Sequence, residues 1–204
     1  NAELLAVLRD RDELSDEIVN KVLATGVLLC LAQVTPTEKG TLGAEFLLQK
    51  TPPEDLEAAW TEAGSNAARG LSVSGLKEGK DTYIVLERSQ GLASSILADP
   101  AFVQQASEWL GTKRFHVGWM CRNQLLLWDP ECELAQVLEQ RVLNSAPSME
   151  LKPAVLEVHR SRITVHARCP SAAQSPFFQR QSWSEATAEV VEVHDGSFST
   201  GLDA

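Results

Sequence analysis

The sequence predicts an α+β protein whose largely antiparallel sheet is built from β-hairpins separated by single helices. Three observations lead to this fold class. Short apolar segments occur in pairs around turn-forming residues, as in Leu71–Leu76 and Thr82–Glu87 on either side of the Lys77–Asp81 loop. Single amphipathic segments with helix-start signals separate these pairs. The order does not alternate strand by helix, as a doubly wound parallel sheet would require.

Five segments have the apolar spacing and the end signals of helices. Ser15 is placed to cap the second of them, Thr51 and Glu54 match a capping box at the start of the third, and an Asp-Pro pair begins each of the last two. Glycine marks the C-terminal end of three of the five. The predicted helices are Glu3–Arg9, Ser15–Gly26, Thr51–Gly70, Asp99–Gly111 and a helix that begins at Asp129.

The remaining apolar segments predict strands. The last hairpin has a consistent register if its turn centres on Arg160-Ser161, because Ile163 and Val165 then share a face with Leu156 and Val158. Glu157, His159, Arg162 and Thr164 would share the other face. The predicted strands are Val27–Val34, Ala44–Gln49, Leu71–Leu76, Thr82–Glu87, Arg114–Met120, Gln124–Trp128 and the two halves of Val155–Ala167.

The chain is predicted to divide into a domain over residues 1–169 and a C-terminal tail over 170–204. The tail begins with a long segment rich in Ser, Ala and Gln. A short hairpin is predicted near its end, from Val190–Val193 and Ser197–Ser199. The tail is expected to pack on the domain or on a partner.

Composition excludes several classes of protein. The chain has 204 residues, a net charge of −10 and 44% apolar residues, which is globular composition and argues against non-specific nucleic-acid binding. The longest apolar run, Val27–Ala32, is too short for a membrane span, and the first residues lack the features of a signal peptide. The four cysteines form no CxxC pair, so free thiols and a cytoplasmic location are predicted.

Sequence motifs do not indicate catalysis or a cofactor. Neither a Gly-rich phosphate loop nor HExxH nor GxSxG occurs. One short stretch contains a candidate nucleophile, base and orienting residue, which are Cys121, His116 and Asp129. Asp129 is already assigned as a helix cap. His159 and His166 would lie on opposite strands of one hairpin with no third ligand in view. No catalytic residue, metal or cofactor is therefore predicted.

Charge is distributed unevenly along the chain. Residues 1–70 have a net charge of −6, whereas residues 151–180 have a net charge of +4. Arg160, Arg162 and Arg168 make the last predicted hairpin basic, so it could meet an acidic partner, an anionic ligand or the acidic segments of its own chain. In the tail, the aromatic side chains that could anchor it to the domain or to a partner are those of Phe177, Phe178 and Trp183.

Part of the sequence, about Val27 to Asp129, resembles the bacterial YtpQ-like family, whose domain has no assigned function. The resemblance rests on three stretches. They are Pro53-Glu54-Asp55-Leu56 with Ala63-Gly64-Ser65-Asn66, then Ala93-Ser94-Ser95-Ile96-Leu97, and Arg122-Asn123-Gln124-Leu125-Leu126-Leu127. Asn123 stands where the family pattern has Asp, which weakens acid chemistry at that turn. The resemblance implies an α+β fold and supplies no catalytic residues.

Three functional hypotheses follow from these patterns. The first is a non-catalytic protein that acts through contacts with a protein partner or with a second copy of itself, without nucleic acid or membrane. The second is a small hydrolase that uses Cys121 and His116. The third is an anion-binding module that uses the arginines of the basic hairpin.

Overall fold

The computed structural model describes residues 2–36, 42–78, 81–88, 92–121, 123–145, 151–169 and 190–191. It confirms the predicted fold class, because all of its strand pairs are antiparallel and single helices separate the predicted hairpins. The strands form two sheets rather than one. Within the described residues, no helix has the length and apolar character needed to cross a bilayer.

The first sheet has four strands around a long central one. Its strands are β1 (Glu3–Asp10), β2 (Asn20–Ala24), β3 (Val27–Pro36) and β4 (Leu42–Phe46). The central strand, β3, pairs with β1 along one edge and with β2 and then β4 along the other. Both faces of β1 are buried from Leu4 to Asp10, whereas most residues of β2 and β4 are half-buried or exposed.

The first two predicted helices are wrong. Glu3–Arg9 lies in β1, where Leu5, Ala6, Val7 and Leu8 are all at most 1% exposed. A strand that is buried on both faces is apolar without alternation, and its leucines can then mimic the spacing of a helix. Ser15 accepts a hydrogen bond from the Glu17 amide across a turn instead of capping a helix.

The second predicted helix is replaced by that turn and by β2. Gly26, predicted to end the helix, has φ +73° and forms the turn from β2 into β3. The strand predicted over Ala44–Gln49 lies a few residues earlier, as β4.

The second sheet has seven strands and contains three of the predicted hairpins. Its order is β10-β9-β7-β8-β6-β5-β11. The strands are β5 (Leu71–Glu78), β6 (Asp81–Arg88), β7 (Arg114–Cys121), β8 (Gln124–Trp128), β9 (Ala154–His159), β10 (Arg162–Arg168) and β11 (Val190–Val191). The pairs β5–β6, β7–β8 and β9–β10 confirm the hairpins.

The register predicted for the last hairpin is confirmed. Ile163 pairs with Val158 and Val165 pairs with Leu156, with Arg160 and Ser161 in the turn. Arg160 has φ 57°, the left-handed conformation that a tight hairpin turn requires. Between Val165 and Ala167 the register shifts, so β10 carries one extra residue there, which is a β-bulge.

Three α-helices connect or cover the sheets, near the positions predicted. They are α1 (Leu56–Ala68), α2 (Phe102–Leu110) and α3 (Ala135–Leu143). The predicted capping box is wrong, because the cap of α1 is Asp55, whose Oδ1 accepts the Ala58 amide at 2.9 Å. Asp99 and Asp129 are not the helix caps that were predicted, because α2 begins after Ala101 and α3 after Leu134. Each instead accepts the amide two residues later, in a turn that precedes the helix. Gly111 ends α2 with φ +70°, as predicted.

The two faces of the seven-stranded sheet pack against different elements. Its inner face, which carries Phe115, Val117 and Val158, shares the main core with the four-stranded sheet, α1 and α2. Its outer face, which carries Trp128 and Val155, packs against α3 in a smaller core. Because side chains alternate along a strand, neighbouring residues of β7 and β9 belong to different cores.

The predicted domain boundary at residue 169 stays a prediction. Of the tail, the structure describes Val190 and Val191, which pair as β11 with Leu76 and Gly75 on the edge of the seven-stranded sheet. The rest of the predicted terminal hairpin lies outside the described residues.

Candidate functional site

A groove of about 870 Å³ lies where β2, α2 and the β9–β10 turn meet. Its apolar lining includes Leu29, Trp60 and Leu97, which are at most 7% exposed, and the half-buried Ile163. Val22 on β2 also lines it and is 61% exposed. The groove therefore offers an apolar surface that is accessible from outside.

Basic side chains border this groove. Lys21, Lys113 and Arg160 are exposed and line it, and the amide of Arg160 donates to the Lys113 carbonyl oxygen at 3.1 Å. Lys21 extends towards the Trp60 ring, with its Nζ 6.0 Å from the ring centroid. Asp99 is the one acidic residue in the lining, and its Oδ1 already accepts the Ala101 amide at 2.8 Å. The groove is therefore electropositive.

An edge strand forms part of the groove wall, and β10 of the other sheet lies beside it. Lys21, Val22 and Leu23 belong to β2, which pairs only with β3 among the described residues. An edge strand presents backbone N–H and C=O groups that can pair with an added extended segment. The wall thus supplies backbone pairing, apolar contact and positive charge together.

The arginines predicted as one basic site are in three different places. Arg160 lines the groove, whereas Arg162 is exposed at the start of β10, opposite His159. Arg168 forms an ion pair with Asp10, which is 2% exposed. Nη2 of Arg168 also donates to the Gly26 carbonyl oxygen at 3.2 Å. Arg168 therefore meets an acidic residue of its own chain and ties β10 to the four-stranded sheet.

The other residues singled out in the sequence are not assembled into one site. Phe177, Phe178 and Trp183 lie outside the described residues. In the nucleophile set, Asp129 accepts the Glu131 amide at 2.8 Å, and the Cys121 side chain lies outside the description.

His116 belongs to a second polar cluster, on the outer face of the seven-stranded sheet. The His116 and His166 rings are tilted against each other with centroids 4.2 Å apart. Glu157 Oε2 lies 3.6 Å from His116 Nε2, and Glu139 Oε2 on α3 lies 3.1 Å from His166 Nε2. Arg114 Nη2 donates to Glu157 Oε2 at 2.8 Å. We call His116, Glu157, His166 and Glu139 the histidine cluster.

The protonation of this cluster follows from its surroundings. Burial lowers the pKa of His116, and the neighbouring His166 lowers it further, so the His116 ring is neutral at pH 7. The hydrogen bond from Arg114 lowers the pKa of Glu157, which is therefore ionised. The cluster thus combines a neutral buried imidazole with a carboxylate.

Sequence reasoning found His166 but paired it with the wrong histidine. His159 lies at the other end of the β9–β10 ladder, opposite Arg162. His116 reaches the cluster because β7 pairs with β9 and sets it opposite Glu157. Because β8 and α3 separate β7 from β9 along the chain, no local signal in the sequence predicts this pairing.

The chain was compared with known proteins in three ways. No family model, no curated protein and no solved structure matches it. The resemblance to the YtpQ-like family stays a prediction.

The cysteines allow a direct test of the buried sheet. Cys30 in β3 is fully buried, and burial raises the pKa of its thiol to about 11. Since each pKa unit changes the thiolate fraction about tenfold, we expect alkylation of Cys30 at pH 8 to be at least about 100-fold slower in the folded than in the urea-unfolded protein. Peptide mass spectrometry after timed quenching measures this rate.

Cys169 is the internal comparison for this measurement, because it is a free, half-buried thiol. Equal rates for Cys30 and Cys169 in the folded protein would contradict the burial of β3. The same digest reports on Cys121. Fast alkylation of Cys121 in the folded protein would favour the hydrolase hypothesis.

Proposed function

We propose that this protein is a non-catalytic binding module that takes an acidic, extended peptide segment of a protein partner into the groove beside β2. The observation that carries the proposal is the coincidence of an edge strand with three cationic side chains and an exposed valine. The proposal includes the cytoplasmic location predicted from the sequence. Cys30 and Cys169 are free thiols, which is consistent with a reducing compartment.

Each part of the groove supports a peptide rather than a small anion. Backbone groups of β2 can hydrogen-bond an added strand, and alternate side chains of that strand would then face the apolar lining. Lys113 and Arg160 are neighbours in the lining, where they can meet carboxylates without being buried. A small anion would use the charges alone and would leave Val22 and the strand edge unused.

The test uses fluorescence anisotropy of the full chain with labelled peptides. One peptide alternates Glu with Leu or Phe, and a matched peptide has Lys in place of Glu. We expect the acidic peptide to bind and the basic one not to bind. The double variant Lys113→Glu with Arg160→Glu is expected to weaken binding by roughly tenfold, equivalent to about 1.4 kcal/mol. Val22→Asp should also weaken it, because it places an acid on the apolar wall.

The matched control is Lys50→Glu. Lys50 is an exposed lysine outside the groove lining, with its Nζ 2.7 Å from Glu17 Oε1. Equal losses in the control and in the groove variants would refute the proposal. Binding of a short-chain carboxylate, lost in the same variants, with no binding of the acidic peptide would instead favour the anion-binding hypothesis.

A further inference from the structure

We propose that His116, Glu157 and His166 form a binding site for one divalent transition-metal ion, with Zn²⁺ the best match to the ligand set. The site lies on the outer face of the seven-stranded sheet, whereas Ile163 in the groove belongs to its inner face. The inference therefore stands apart from the proposed peptide-binding function.

The first support is the convergence of suitable ligand atoms. One nitrogen from each histidine and one oxygen of Glu157 all lie within 4.8 Å of one another. They come from three adjacent strands, β7, β9 and β10, whose backbones are fixed by ladder hydrogen bonds. Two imidazoles and one carboxylate are a common zinc set that leaves a fourth position for water or another ligand.

The second support is the state of the His116 ring. His116 is only 4% exposed, and neither of its ring nitrogens has a hydrogen-bond partner. The 3.6 Å separation from Glu157 Oε2 is too long for a hydrogen bond. A buried polar atom without a hydrogen-bond partner lowers the stability of the folded protein. A bond from one His116 nitrogen to a metal ion would give that nitrogen a partner. The His116 ring also packs edge-on against Trp128, at 5.6 Å between centroids.

The third support is the position of His166 at the bulge of β10. His166 is the extra residue between Val165 and Ala167, so it has no partner in the ladder. Bulges redirect side chains and occur often beside functional sites. Here the bulge leaves the His166 ring against His116, with 38% of its side chain exposed and therefore free to adjust.

Charge also favours a cation at this point. Glu157 and Glu139 place two carboxyl groups beside the histidines, and Arg114 pairs with Glu157. Arg114 holds Glu157 in place by its hydrogen bond. Glu139 can accept a hydrogen bond from Nε2 of His166 and so orient that ring as a ligand.

Metal binding requires a modest contraction of the cluster. Zinc bonds of 2.0–2.1 Å in tetrahedral geometry place ligand atoms about 3.3 Å apart. The ligand atoms of His116, Glu157 and His166 lie up to 4.8 Å apart, so the partly exposed His166 ring would move inwards by up to about 1.5 Å, while His116 and Glu157 stay on the sheet.

The experiment titrates the full chain with ZnCl₂ against a chromophoric chelator and measures the dissociation constant. We expect one zinc ion per chain and a rise in the thermal midpoint with added Zn²⁺. His166→Asn should weaken binding by more than about 100-fold, since replacing even an outer partner costs roughly 10–100-fold. Glu139→Gln should weaken zinc binding by roughly 10–100-fold, because Glu139 is such an outer partner. His166 and Glu139 are partly exposed, so both variants are expected to fold.

His159→Asn is the matched control, because His159 is an exposed histidine of the same hairpin outside the cluster. It should change zinc affinity less than about threefold, a small surface effect. His116→Phe should abolish zinc binding without lowering the thermal midpoint of the zinc-free protein, because it removes unpartnered buried nitrogens. No zinc binding by the wild type, or equal losses for His166→Asn and His159→Asn, would overturn the proposal.

Discussion

Replacing Arg88 with methionine is expected to lower the free energy of unfolding by about 3–5 kcal/mol, the usual cost of removing one partner from a buried ion pair. The Arg88 side chain is 3% exposed, and its Nη2 lies 2.7 Å from Glu3 Oε2. Its guanidinium also donates to the carbonyl oxygens of Arg69 and Asn66, at 3.2 and 3.3 Å. Arg88 therefore joins both sheets to the end of α1, and methionine leaves three acceptors unpaired.

Urea denaturation with a two-state fit measures this loss. Lys50→Met is the matched control, because the Lys50–Glu17 pair is 74% and 57% exposed. An exposed pair contributes at most about 1 kcal/mol, so the control should unfold almost as the wild type does. Similar losses in the two variants would show that Arg88 does not hold the layers together.

A methyl group added at Gly118 is expected to cost about 1–3 kcal/mol of stability by overpacking the outer core. A Cβ atom at this position would lie 2.6 Å from Val142 Cγ2 and 3.1 Å from the Trp128 ring. Neither neighbour can yield easily, because valine is stiff on a helix and Trp128 is fully buried. Gly118→Ala should therefore push α3 away from the sheet.

A second substitution tests whether the loss of stability comes from this clash. Val142→Ala removes both contacting methyl groups, so Gly118→Ala should cost less in that background than in the wild type. The expected double-mutant coupling is at least about 0.5 kcal/mol, measured by urea denaturation of the four proteins. Strict additivity would mean that α3 does not approach the sheet as closely as the structure shows.

Local signals in the sequence were sufficient for most of the second half of the fold. The register of the β9–β10 hairpin was predicted correctly from its turn to Val165, because the turn and the alternation agree, as with Ile163 opposite Val158. The bulge beyond Val165 was not predicted. Helices α2 and α3 follow their Asp-Pro turns. The first strand was wrong because Leu4–Asp10 is buried on both faces, and no alternation marks such a strand.

The two sites could be predicted only in part, since both depend on contacts between distant segments. Arg160 was identified from charge, but the groove also needs β2, which had been predicted as a helix. His166 was identified from its hairpin, but its neighbour His116 is brought there by the pairing of β7 with β9. Long-range pairing follows from the packing of the whole sheet, which spacing along the chain does not encode.

The pairing of β7 with β9 also has a consequence for the folding rate. The three hairpins can form from neighbouring residues, but β7–β9 closes a loop that contains β8 and α3, and β11 pairs with β5 from the far end of the chain. Each of these closures loses chain entropy before its contacts form. The protein is therefore expected to fold slowly, in milliseconds to seconds, with the hairpins formed before the seven-stranded sheet is complete.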